Sequence, residues 1–69
     1  MYVSFNEYLT NERITLVEMD RLYIPVKGDI IEFNKKKYTV MGRKYTVRSQ
    51  SDYGMCVLLR EQTVGPQPL

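Results

Sequence analysis

Lys37-Tyr38-Thr39-Val40 recurs almost at once as Lys44-Tyr45-Thr46-Val47, with Gly42 between the two copies. Tyrosine, threonine and valine favour a pleated, half-buried surface, so the middle of the chain reads as β-strand. Repeated β-branched residues beside a glycine are also poor helix formers. Tyr38 and Tyr45 are seven positions apart, an odd number, and in a straight strand they would face opposite sides. One extra residue at Met41-Gly42 brings Tyr38, Val40, Tyr45 and Val47 to one side. A bulge or sharp bend is therefore expected there.

Other strands flank this one. Ile14 to Met19 alternates, with Ile14 and Leu16 on one face and Thr15 and Val17 on the other. Leu22-Tyr23-Ile24 is expected to continue extended until Pro25, which lacks the N–H that a central ladder needs. Pro25-Val26-Lys27-Gly28-Asp29 reads as a turn, with Gly28 taking a positive φ. A strand from Asp29 to Phe33 should pair with the one from Lys37. Placing Phe33 opposite Tyr38 sets Ile31 against Val40 and joins all four on one apolar face. The loop between them has no Asn-Gly, so three or four residues using Asn34 are expected rather than a tight pair. Ser49 to Gly54 reads as a polar loop. Met55 to Leu59 is an unbroken apolar run, the pattern of a strand covered on both faces.

The ends are less regular. Ser4 and Glu7 have the spacing of a capping box, which favours one helical turn through Leu9, although Val3 and Phe5 equally suit a short strand. Thr10-Asn11-Glu12 reads as a turn. Residues 63–69, with Gly65, Pro66 and Pro68, are expected to form a flexible tail behind a single domain spanning 1–62. The sum is a mainly β fold of about five antiparallel strands, a small, partly open barrel of the SH3-like or OB-like kind.

Composition narrows the function. The 69 residues include no histidine and one cysteine, Cys56. The usual general base, the usual partner of a nucleophile and a cysteine–histidine zinc set are all missing. Gly28, Gly42, Gly54 and Gly65 are dispersed, so no phosphate loop forms. Glu18, Asp20, Asp29 and Glu32 have no spacing that marks paired catalytic carboxylates. The expectation is a protein with no enzyme activity, no cofactor and no metal, and with Cys56 as a small core residue. No apolar run approaches the ~20 residues of a membrane helix, and the first residues do not resemble a signal peptide. A domain without disulfides fits a reducing compartment, so a cytoplasmic location is expected.

Two binding readings remain. The chain has eight aromatics, six of them tyrosine. Tyrosine is enriched where proteins meet. Tyr2, Tyr8, Tyr23 and Tyr53 lie outside the core pattern and are candidates to bind a protein partner or a second copy, together with an exposed sheet edge. The alternative is nucleic acid. Net charge is only +2, yet Lys35 to Arg48 holds six basic residues and no acidic one. Lys35, Lys36, Arg43, Lys44 and Arg48 would follow a phosphate backbone, with Tyr45 or Tyr53 as a stacking platform. The same lysines also suit edge strands, where charge discourages aggregation.

The stretch Pro25-x-x-Gly28-Asp29-Ile30-Ile31 followed by Lys36-Lys37-Tyr38-Thr39-Val40 resembles a hairpin of small SH3-like barrels encoded by bacteriophages and other mobile elements, among them connector and accessory proteins. The likeness covers residues 25–40. It implies an SH3-like barrel of phage origin and carries over no active site.

Overall fold

The computed structural model describes residues 1–50 and 52–62. The chain forms five strands, β1 (Tyr2–Glu7), β2 (Arg13–Glu18), β3 (Ile30–Phe33), β4 (Lys36–Ser49) and β5 (Asp52–Glu61), with one 3-10 turn at Arg21–Tyr23. They make a single sheet in the order β2-β1-β5-β4-β3, curled into a half-barrel. The fold is mainly β, as the alternation requires. It is mixed rather than wholly antiparallel, because β1 runs parallel to β5 while the other three pairings are antiparallel. An N-terminal hairpin and a C-terminal three-stranded meander thus meet along one parallel seam.

The core lies on the concave face: Val3, Phe5, Ile24, Tyr38, Val40, Met55, Val57 and Leu59 are buried. Ile14, Val17, Met19 and Ile31 pack around it. β5 is the central strand, and its apolar run alternates between buried Met55, Val57 and Leu59 and half-buried Cys56 and Leu58. Cys56 therefore belongs to the convex face, not to the core.

Residues 2–7 form a strand, not the helical turn that the capping-box spacing suggested. A cap of that kind contributes about 1 kcal/mol. Burying Val3 and Phe5 contributes about 1.5–3 kcal/mol each, and wins. Glu7 is used differently: its carboxylate accepts the N–H groups of Leu9 and Thr10, both at 2.7 Å, and closes the turn into β2.

The bulge in β4 is present. Val40 pairs with Leu59 and Gly42 with Leu58, leaving Met41 as the extra residue. Tyr38, Val40, Arg43, Tyr45 and Val47 consequently share the concave face. At the β3–β4 connection the loop is tighter than expected. Asn34 and Lys35 alone make it, with φ of 55° and 67°. Two positive φ values are the mark of a type I′ turn, whose twist matches that of the strands. Ile31 then pairs with Tyr38, and Phe33 with Lys36. This is two positions from the expected register, so every side chain keeps its face.

Two further segments differ. Leu22 and Tyr23 lie in the 3-10 turn rather than an extended stretch, because the Asp20 side chain accepts the Leu22 N–H at 2.8 Å. The polar loop from Ser49 is shorter, since Asp52, Tyr53 and Gly54 are already in β5. The expected tail at 63–69 lies outside the described residues. Gly28 has φ of 97° and sits in a turn closed by Asp29 N–H on the Val26 carbonyl at 3.0 Å.

Candidate functional site

Along β4, the first Tyr-Thr-Val copy and the second meet different surroundings. Tyr38 and Val40 are 7% and 1% exposed; Tyr45 and Val47, on the same face, are 53% and 71% exposed. The bulge aims both copies inward, but the N-terminal hairpin and the 19–29 connector cover only the first. Beyond Arg43 the β4–β5 hairpin carries an uncovered face of Tyr45, Val47 and Tyr53.

Arg43 marks the boundary. Its guanidinium donates to the Pro25 carbonyl at 3.0 Å and to the Ile24 carbonyl at 2.9 Å. Those bonds hold the connector against the sheet and seat Ile24 in the core. On the open side, the Tyr45 and Tyr53 rings lie 6.4 Å apart at 49°. Arg21 donates to the Tyr53 hydroxyl at 3.1 Å, which ties the 3-10 turn to the hairpin. That turn carries the exposed Leu22 and Tyr23. A hollow of about 270 Å³ lies here, lined by Arg21, Ile24, Arg43, Tyr45, Tyr53 and Met55 among others. Among the described residues its lining includes two arginines and no carboxylate.

The sequence candidates are thus partly gathered. Tyr53 and the turn bearing Tyr23 come together. Tyr8 sits in the β1–β2 turn, and Tyr2 is on the convex face of β1. Sequence reasoning placed Tyr45 as a base platform and assigned Val47 to no site; the odd spacing across Gly42 was the signal for both. The basic candidates are dispersed. Lys35 occupies the β3–β4 turn, and Lys36 approaches Glu61 at 3.9 Å as an exposed pair. Arg43 is committed to backbone carbonyls on the concave face. Lys44 and Arg48 project from the convex face, where they join Arg13.

That convex face has its own shallow groove, about 290 Å³, lined by Tyr2, Asn6, Arg13, Lys44, Arg48 and Cys56 among others. Burial pushes the Cys56 thiol above its ordinary value, while the Lys44 and Arg13 charges pull it down. Among the described residues no cluster of acidic, histidine or cysteine side chains has the makings of a metal site, and no helix is long and apolar enough to cross a membrane.

No protein-family model, curated protein or solved structure matches the chain.

Proposed function

We propose that this chain is a non-catalytic protein-interaction module whose working surface is the uncovered concave face of the β4–β5 hairpin. One observation carries the reading: the same Tyr-Thr-Val pattern on the same face is core in its first copy and open in its second. Exposed aromatic and branched residues side by side supply the anchors on which interfaces depend.

The free sheet edges are weaker candidates. β3 has four residues, and β2 is irregular where Phe5 and Asn6 face Thr15 and Arg13. Short or bulged edges discourage strand addition. Charge selects the occupant. Among the described residues Arg21 and Arg43 border the face without a carboxylate, so two copies meeting symmetrically would bring like charges together. The fitting partner is a different protein that presents apolar side chains flanked by Asp or Glu. The resemblance of residues 25–40 to phage-encoded barrels points toward a structural piece of a particle or an inhibitor of a host factor.

Selection of random peptides displayed against the wild-type chain tests this. Enriched peptides should combine aromatic or aliphatic residues with carboxylates, and should bind Val47→Asp at least about tenfold more weakly, the effect of one lost anchor. Peptides that bind Val47→Asp and the wild type equally would refute the reading.

A further inference from the structure

We propose that the convex face is a second, independent site that binds single-stranded nucleic acid. The groove draws its cations from opposite sides of the sheet, Arg13 on β2 and Lys44 and Arg48 on β4. Three strand spacings of about 4.8 Å separate β2 from β4, so the charges straddle roughly 14 Å. Among the described residues no carboxylate lines the groove, although the chain has eight acidic residues against ten basic ones. Positive charge is thus gathered within the groove, while Glu18 beside Tyr2 and Glu32 beside Lys37 lie on the same face outside its lining.

The cations are partly arranged in advance. Arg13 Nε donates to Ser4 Oγ at 3.1 Å, and Ser4 Oγ donates in turn to Asn6 Oδ1. Asn6 Nδ2 donates to the Asn11 carbonyl at 3.1 Å and to its side-chain oxygen at 3.0 Å. The Arg48 guanidinium lies over Gly54; a methyl group there would sit 3.6 Å from it. Gly54 and Cys56 keep the floor low between the flanking charges. Farther along the same face, strand alternation adds Arg60 and Lys37.

Tyr2 stands at the groove's rim with 64% of its surface open. A phenol ring beside phosphate-binding cations is the pairing that single-stranded binders use, since every base offers a π-face. A protruding element is needed to read a duplex groove, and this surface is a shallow groove with no element standing out of it. An acidic protein partner fits less well. The lining is mainly polar, without the buried apolar anchor that protein hot spots require.

Fluorescence anisotropy with a labelled oligothymidylate tests the proposal across a salt series, with a duplex of equal length and polyglutamate as competitors. Binding should weaken as salt rises. The Arg13→Gln/Lys44→Gln double variant should lose affinity and flatten the log–log salt slope by about 1.4, the share of two contacts to a single strand. Lys44→Gln alone should flatten it by about 0.7, which keeps the test valid if the double variant folds poorly. Tyr2→Ala should weaken binding roughly tenfold. Lys35→Gln/Lys36→Gln, remote from the groove, should change neither affinity nor slope. The proposal is overturned if the wild type shows no salt-dependent binding, if the Lys35/Lys36 variant loses as much as the groove variant, or if duplex or polyglutamate competes as well as the single strand.

Discussion

Tyr38 and Tyr45 point to the same side of β4 from seven positions apart, one 7% exposed and the other 53%. The extra residue at Met41 makes this possible. It lets one strand serve first as a wall of the core and then as an open surface, and the boundary falls where Arg43 clamps the connector.

That division predicts opposite costs for truncation on one concave face. Leu59, 1% exposed and opposite Val40, should lose about 2–5 kcal/mol on change to Ala. Val47→Ala should stay within about 0.5 kcal/mol of wild type. Urea denaturation of the two variants measures both. A large loss at Val47 would show that its face is already covered in the free protein.

Arg43 is predicted to be a structural residue. The bond to the Pro25 carbonyl is exposed and the one to the Ile24 carbonyl part-buried, so together they contribute about 1 kcal/mol. Arg43→Ala should therefore destabilise by about that amount and speed amide exchange in 19–29. Lysine should not restore it fully, because one ammonium cannot reproduce a planar two-point contact. Hydrogen exchange followed by mass spectrometry checks the local effect.

The type I′ turn gives a prediction of opposite sign. Lys35 holds φ of 67°, a conformation that costs a side-chain-bearing residue about 1–2 kcal/mol and glycine little. Lys35→Gly should raise stability by about 1 kcal/mol, part of the gain being offset by the freer unfolded chain. Thermal melts of the two forms decide it.

How far the residues announced this structure follows from what each signal encodes. Local patterns were sufficient for the bulge at Met41-Gly42, the Gly28 turn and the central apolar strand, because each depends on neighbours in sequence. The β1 strand was obscured by a genuine local alternative, the Ser4–Glu7 spacing, which tertiary burial overrode. The 3-10 turn was signalled by Asp20 as a cap, against a Leu-Tyr-Ile run that suggested strand. The convex groove was illegible for a different reason. Arg13 and Lys44 flank one groove only because β1 pairs in parallel with β5, and no local pattern specifies a parallel pairing between the ends of a chain.

Cys56 reports on that groove through its acidity. Burial raises the thiol above its ordinary 9.0, so it stays protonated to higher pH in the folded chain than in the unfolded one. The sign follows: its contribution to stability is intact below pH 9.0 and falls away as pH rises further. Alkylation, which needs the thiolate, should be slower at neutral pH than in the unfolded chain. Lys44→Gln removes a charge that favours the thiolate, so it should slow alkylation again. Faster labelling in that variant would mean that Lys44 shields Cys56 rather than polarising it.

The most direct measurement is chemical-shift mapping of the isotope-labelled chain titrated with a display-selected peptide. The account predicts that the largest shifts fall on Tyr45, Val47 and Tyr53, with the 3-10 turn at Arg21–Tyr23 following. Shifts concentrated instead along β2 or β3, with Tyr45 and Val47 unmoved, would contradict it.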